Sequence, residues 1–463
     1  MEHQPSHRGH GREALTDTIV AAATPPGRGG IAIVRISGPQ TEGIGRQLVR
    51  TLPGARSATS SAFYGADGLP IDQGLACYFP APHSYTGESV LELHCHGSPV
   101  VVEALIRRVL QLGARRAGPG EFTQRAYLNA KLDLAQAEAV ADLIDAASEG
   151  AARAALRSLQ GEFSRRVVAL SERLNELRTY VEAAIDFAEE RLDLLSDRAL
   201  GDRLQGAIAE LHALQLTGRQ GRLLTHGITV VVAGRPNAGK STLLNRLAGH
   251  DAAIVASTPG TTRDVLRERI TLDGLALTLL DTAGLRPASD EVEAEGIRRA
   301  RAAMQGADRI LFVIDAAADP EARGFLEERD SLPAQVPVTV LLNKIDLTTP
   351  APPASLSTQS TAPILALSAL TGAGIDALVS HLKQTAGMDS GTDALSARAR
   401  HLEALSAVDG NLSAAARLLS GGRTPELVAE ELKRAQGALG EIVGAESSDE
   451  LLGRIFSSFC VGK

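Results

Sequence analysis

The sequence predicts a multidomain protein: an α+β N-terminal domain, an all-α helical domain, and an α/β P-loop (Ras-like) domain inserted into the helical one. Three observations carry this. A G-x-x-x-x-G-K-S stretch at residues 234–241 follows the apolar run 228–233 and opens onto helix-forming residues 242–247, the order a phosphate-binding loop requires. Helical composition fills 132–216, stops, and resumes beyond about 380. The residues before 130 alternate short β-rich runs with turn segments. The expected boundaries are a disordered polar tail over 1–15, the N-terminal domain over 16–130, the helical domain over 131–221 and 381–463, and the inserted domain over 222–380.

In the N-terminal domain, strands are expected over 19–23 and 31–36, separated by a Pro- and Gly-rich turn at 24–30. Further strands follow near 76–79 and 90–95, then a helix over 99–112. Alternation in the strand near 91–96 puts Glu92, His94 and His96 on one face and Leu91, Leu93 and Cys95 on the other. The polar face fits a ligand pocket, a metal site or solvent. Gly118, Pro119 and Gly120 introduce a helix with Glu121 in its first turn.

In the helical segment, Leu156, Leu159, Phe163, Val167, Leu170, Leu174, Leu177, Val181 and Ala184 recur at steps of three and four. That spacing is one apolar stripe on a long helix, suited to a bundle core. A second stripe follows at Leu402, Leu405, Val408, Leu412 and Leu419. Thr424 and Pro425 then form an N-cap and first-position pair.

The chemistry concentrates in the inserted domain. Asn237, Ala238, Gly239, Lys240, Ser241 and Thr242 form the phosphate end. Backbone N–H groups and a helix N-terminus curl around phosphate oxygens, Lys240 adds a full charge, and the Ser241 hydroxyl suits magnesium. Asp281, Thr282, Ala283 and Gly284 make D-x-x-G at the end of an apolar strand, with a carboxylate placed for magnesium and a glycine N–H for the γ-phosphate. Asn343, Lys344 and Asp346 make N-K-x-D; the Asp346 carboxylate can accept two guanine N–H groups, a pattern adenine does not offer. Ser368, Ala369 and Leu370 fit the last base-contacting loop. Together these predict a GTPase.

One departure matters. Leu285 follows D-x-x-G where Ras-type enzymes carry the Gln that orients the attacking water. An apolar side chain cannot do this, so Arg286, Asp290, Glu291, Glu293 and Glu295 are the nearby candidates. Asn237 brings no charge but can ligate a monovalent cation.

The 463 residues carry a net charge of −8, which disfavours nonspecific coating of nucleic acid and leaves room for a local or shared basic patch. Cys77, Cys95 and Cys460 are too few and scattered for a disulfide framework or a zinc site. No apolar run approaches the roughly 18 residues of a membrane span, and a signal-peptide pattern is missing. A cytoplasmic chain without a membrane partner is expected.

These motifs together resemble the tRNA modification GTPase family MnmE, also called TrmE. The resemblance runs over residues 17–463. Its markers are T-P-P-G-R-G-G at 24–30, V-R-I-S-G at 34–38, T-G-E at 86–88, G-E-F-T at 120–123, L-D-L-A-Q-A-E-A at 132–139, G-T-T-R-D at 260–264, D-T-A-G-L at 281–285 and F-C-V-G-K at 459–463. It implies a homodimer with an N-terminal tetrahydrofolate-binding domain, and G domains that meet across potassium. Arg35, Glu92, Lys131 and Lys463 would contact a folate, as a 5-formyl or 5,10-methylene derivative. Asn237 would ligate potassium together with Ala256, Thr258 and Thr261; Ser257, Pro259 and Gly260 complete that GTP-contacting loop. Ser241 and Thr262 would hold magnesium, and Glu293 would orient the water through a bridging water. With an FAD-carrying partner, MnmG, in a heterotetrameric or larger complex, the family adds an aminomethyl or carboxymethylaminomethyl group to carbon 5 of the wobble uridine of tRNA. Cys460 sits in the family's tail, as a catalytic thiol or a structural one beside the folate.

The chain departs from the family pattern at Ser98, where a second Gly is usual, and at Ala256 and Ser257. The alternative is an Era-like or EngA-like ribosome-assembly G protein. That class is expected to bring a basic RNA-binding domain, whereas this chain is acidic and carries Arg35, Glu92 and Lys131 upstream.

Overall fold

The computed structural model describes residues 17–186, 198–249, 267–272, 275–281, 304–348, 362–386, 394–421, 425–445 and 448–462. Two compact units result, Met1–Ala141 with Gly437–Lys463, and Asp142–Gln436.

The first unit is built on a six-stranded sheet. Its strands are β1 (Ile19–Ala22), β2 (Gly29–Ser37), β3 (Ala58–Tyr64), β4 (Pro70–Phe79), β5 (Val90–Gly97) and β6 (Arg115–Arg116), in the order β3-β4-β5-β2-β1-β6. Period-two alternation explains its two faces. Val34, Ile36, Leu91 and Leu93 point into a core shared with α1 (Thr41–Val49) and α2 (Pro99–Gln111), through Ile44, Leu48, Leu105 and Val109. The opposite face carries a cross-strand row in which Glu92 pairs with Arg35 on one side and Cys77 on the other. The sequence did not lead us to expect α1 or β3: two glycines interrupt α1, and β3 reads A-T-S-S-A-F-Y with one deeply buried side chain, Phe63.

Helix α3 (Glu121–Leu128) starts at Gly120, whose φ is +63°. A Cβ there would lie 2.8 Å from the Phe456 carbonyl oxygen. Helix α4 (Leu134–Ile144) packs Leu134 and Ala137 against Leu452, Ile455 and Phe456 of the helix Asp449–Ser457. The chain beyond that helix enters the sheet region: Val461 forms a bridge with Pro119, and Gly462 (φ +97°) lies so near β1 that a Cβ would sit 1.9 Å from the Ala22 carbonyl oxygen. Only glycine fits there.

In the second unit lie α5 (Glu149–Leu159), α6 (Glu162–Asp186), α7 (Arg198–His226) and a later helix, Ala399–Ser420, which buries Leu405, Val408 and Leu412 of the predicted second stripe and leaves Leu402 and Leu419 partly exposed. The single long helix expected across 156–184 is two helices. Gly161 at φ +83° separates them, and Leu156 is 43 % exposed. One left-handed residue turns the chain without disturbing the three-and-four spacing, which is why periodicity concealed the break. The stripe from Phe163 to Val181 is buried as expected. The Thr424 cap lies outside the described residues.

Helix α7 leads through Gly227 (φ +74°) into a second sheet. It comprises β7 (Ile228–Ala233), β8 (Arg267–Leu272), β9 (Leu275–Asp281), β10 (Arg309–Asp315), β11 (Val338–Asn343) and β12 (Ile364–Ala366), ordered β12-β11-β10-β7-β9-β8. All neighbours are parallel except β8 and β9. Central strands buried on both faces read as near-continuous apolar runs, and β7 (I-T-V-V-V-A) and β10 (R-I-L-F-V-I-D) do so between their ends, with Arg309 and Asp315 only partly buried. Helices α8 (Lys240–Ala248), α9 (Arg323–Glu328) and α10 (Ile375–Thr385) cover the faces; Leu243, Leu247, Leu378 and Leu382 share one core and Phe312 with Phe325 the other. The strand order reverses between β7 and β10, and ligands bind at the carboxyl ends beside such a reversal. We number the helix Ala399–Ser420 α11.

The N-terminal unit encloses a charge cluster. The fully buried Arg125 guanidinium donates to Asp17 Oδ1 at 2.8 Å, Glu121 Oε1 at 2.9 Å and Glu88 Oε1 at 3.1 Å. Arg115 reinforces Glu121 at 2.6 Å. Burial pushes the Glu121 carboxyl up, but Arg115, the Gly118 N–H and Arg125 outweigh it and hold it below its ordinary value. Removing a buried partner strands the other charges, so Arg125→Met should destabilise this unit by about 3–5 kcal/mol at pH 7. Because Asp17 and Glu121 are both depressed, their stabilisation is complete above their ordinary values of 3.8 and 4.5 and is lost as pH falls through the lower folded values. Urea melts at pH 7 and at about pH 2–3, below both ordinary values, should therefore show the gap between wild type and variant narrowing in acid.

Candidate guanine-nucleotide site

Gly234 leaves β7 at φ +133°, and a Cβ there would sit 2.2 Å from the Val313 carbonyl oxygen of β10. The loop therefore hugs the neighbouring strand. Asn237 takes φ +63° and is exposed, and Gly239 (φ +96°) caps α8 where a Cβ would strike the Asn343 amide at 2.2 Å. Lys240 begins the helix, is buried, and donates from Nζ to the Gly234 and Arg235 carbonyl oxygens at 2.8 Å each. Ser241 and Thr242 stand exposed on the first helical turn, whose N–H groups and dipole suit an anion.

The other loops gather on Asn343, which is 2 % exposed at the end of β11. Its Nδ2 donates to the Ala238 carbonyl oxygen at 2.8 Å, and its Oδ1 accepts from the Ala369 N–H at 2.9 Å. One side chain thus ties the phosphate loop to the 368–370 loop. Lys344, at φ +66°, donates to the Asn237 carbonyl oxygen at 2.8 Å and to Asp315 Oδ2 at 2.6 Å. Ser368 is fully buried; its hydroxyl accepts from the Thr371 N–H at 3.1 Å. Asp346 and Leu370 remain exposed beside them.

Two contributors were missed in the sequence. Asp315 ends β10 and accepts from Ala317 N–H, Ala318 N–H and Lys344. Burial pushes its carboxyl up, but Lys344 and the two N–H groups hold it below the ordinary value. The available signal was an apolar strand ending in a carboxylate, the pattern that singled out Asp281. Arg246 donates to the carbonyl oxygens of Ala369 and Leu370, and nothing in its own neighbourhood marked it. Asp281 ends β9 beside Val232. Ala256, Ser257, Thr258, Pro259, Gly260, Thr261, Thr262, Thr282, Ala283, Gly284, Leu285, Glu293 and Lys463 lie outside the described residues.

In the first unit, Arg35 Nε donates to Glu92 Oε1 at 2.9 Å, and its guanidinium lies 5.5 and 5.6 Å from the Tyr85 and Phe122 ring centroids. His94 Nε2 is 3.4 Å from Glu92 Oε2. His96 pairs instead with Asp72 at 2.8 Å, and among the described residues no group of His, Cys, Asp and Glu suits a metal. Lys131 Nζ donates to the Pro82 carbonyl oxygen at 3.2 Å. Cys460 is exposed, and its carbonyl oxygen accepts from the Gly120 N–H at 3.3 Å. Among the described residues no helix is long and apolar enough to cross a membrane.

A phosphate loop at the reversal of a parallel sheet, clamped by N-K-x-D, defines a P-loop GTP-binding domain, here following a helical segment and an α+β N-terminal domain. A family model described as "GTP-binding protein TrmE N-terminus" matches residues 18–131, and one described as "MnmE helical domain" matches 134–460. The chain is 54 % identical over 452 residues to the tRNA modification GTPase MnmE of Methylococcus capsulatus, covering 96 % of this chain and 99 % of the relative. It is 52 % identical to that of Proteus mirabilis, covering 97 % and 99 %. The chain belongs to the MnmE (TrmE) family. Among solved structures, Era of Aquifex aeolicus bound to GDP and AlF4− aligns with 40 % of this chain and 66 % of its own at 27 % identity, with a TM-score of 0.29, too slight a likeness to carry an argument.

Lys240→Ala should abolish GTP binding, read by titration of a fluorescent GTP analogue. Asp315→Asn frees Lys344 and, losing a charge-assisted bond of about 1.5–3 kcal/mol, should weaken GTP and GDP together roughly tenfold or more. An unchanged Kd would mean that Lys344 braces the loop unaided.

Proposed function

We propose that this protein is a potassium-activated GTPase whose hydrolysis serves C5 modification of the wobble uridine of tRNA, acting as a homodimer with MnmG. The observation that carries the nucleotide half is the Asn343 clamp, which holds the phosphate loop and the base loop in one geometry. Near full-length similarity to relatives named tRNA modification GTPase supports the RNA half. The division into 16–130, 131–221, 222–380 and 381–463 is supported at its first boundary, where the two family matches meet between 131 and 134.

In this reading the N–H groups of 237–242 and the Lys240 ammonium bind the phosphates, Ser241 and Thr262 hold magnesium, and Asp346 reads guanine. Leu285 leaves the water to Glu293. The Asn237 side chain, exposed on a backbone that Lys344 fixes, joins Ala256, Thr258 and Thr261 around potassium. The cation supplies positive charge where other G proteins use an arginine, an effect worth roughly 10³–10⁵ in rate. Arg35 and Glu92, with Lys131 and Lys463, hold a tetrahydrofolate derivative as one-carbon donor, the FAD being carried by MnmG. The Tyr85 and Phe122 rings beside Arg35 add an aromatic wall suited to a pterin.

GTP turnover in potassium against sodium at equal ionic strength tests this. A potassium-specific acceleration that rises with protein concentration is expected; equal slow rates would leave a G protein of the Era or EngA kind awaiting a partner. Glu293→Ala should leave GTP affinity intact and slow hydrolysis by about two orders of magnitude, within the range of a positioned proton-handling group. Unchanged turnover would place the water elsewhere.

A further inference from the structure

The second unit holds a cavity of about 370 Å³ away from the phosphate loop, where Arg219, Arg222 and Leu223 of α7 and Leu402 of α11 face Asp308 and Arg309 at the start of β10. Its size falls in the roughly 300–1,000 Å³ range of small-molecule sites. Its charge is unbalanced. Arg222 pairs with Asp308, whose other oxygen accepts the Thr229 N–H at 2.9 Å. Both oxygens of that carboxylate are engaged, and among the described residues neither Arg219 nor Arg309 is in an ion pair with an acidic side chain. Arg309 is half-buried and donates from Nη1 to the Thr339 hydroxyl at 2.7 Å; Thr339, fully buried, is 3.1 Å from His381 Nε2. Burial without a counter-charge pushes the Arg309 pKa down, and burial together with the Arg309 charge does the same to His381. A guanidinium held half out of water with, among the described residues, a hydroxyl as its side-chain partner is costly unless an anion completes it.

We propose that this cavity binds a small organic anion, its phosphate or carboxylate group held between Arg309 and Arg219 and its apolar part against Leu223 and Leu402. Two guanidinium forks offer the parallel N–H pairs that both oxyanions accept.

The full-length protein, saturated with a non-hydrolysable GTP analogue and magnesium so that the phosphate loop is filled up to the γ-phosphate position, should bind radiolabelled inorganic phosphate or citrate saturably in equilibrium dialysis. Preference for phosphate assigns a phosphoryl ligand, preference for citrate a carboxylate. Arg219→Ala, a change at an exposed position, should weaken binding at least fivefold, and Leu402→Trp, which fills the cavity, should abolish it. The His381 ring protons should titrate at higher pH when the probe is bound. Absence of saturable binding by both probes overturns the proposal, as does binding that Arg219→Ala leaves unchanged.

Discussion

The geometry of the nucleotide site depends on the carboxamide of Asn343. It is buried, and it both donates and accepts: the Ala238 carbonyl oxygen takes its N–H and its own oxygen takes the Ala369 N–H. Aspartate would lack the donor and leucine both functions, leaving buried backbone groups unpaired at about 1–3 kcal/mol each. Gly239 belongs to the same constraint, because any side chain there would occupy the space of the Asn343 amide. Lys344, next in sequence, extends the brace to Asn237 and is itself oriented by Asp315. Motif residues usually described by what they do to a ligand are here also the residues that hold the loops together.

Much of this was legible. The apolar runs of β7, β10 and β11 are what a parallel sheet covered on both faces demands, and the loops that follow β7 and β11 announce themselves by glycine, lysine and carboxylate spacing. Asp315 was not singled out, although it terminates a strand as Asp281 does, because its role is to hold another side chain. Arg246 contacts residues more than a hundred positions away, a relation that only the folded helix α8 creates. The break between α5 and α6 escaped notice because one left-handed glycine changes direction without changing period. In the N-terminal sheet the strongly alternating β5 was readable, whereas β3 is held mainly by pairing with β4 along its length and carries little hydrophobic signal.

The two units solve their electrostatics differently. The N-terminal unit sequesters Arg125 fully and surrounds it with Asp17, Glu88 and Glu121, so that the buried charge is met from three sides. The second unit leaves Arg309 with a hydroxyl and a cavity. The Arg35–Glu92 pair lies between these cases, partly exposed on the face of its sheet opposite the α1–α2 core, with aromatic rings beside it. A charge pair of that kind keeps its hydrogen-bonding capacity available to a ligand.

Gly462 lies against Ala22, and Val461 bridges Pro119. The compact unit that contains β1 and β2 therefore includes residues made only after the whole of Asp142–Gln436 has been synthesised. During synthesis the first sheet must wait, with one border unfinished, while an entire second unit is produced. Chain-order folding is thus reversed for its final step: the earliest strands are among the last to be sealed, and a chain stopped before residue 437 would leave the Arg35 sheet without its closing segment.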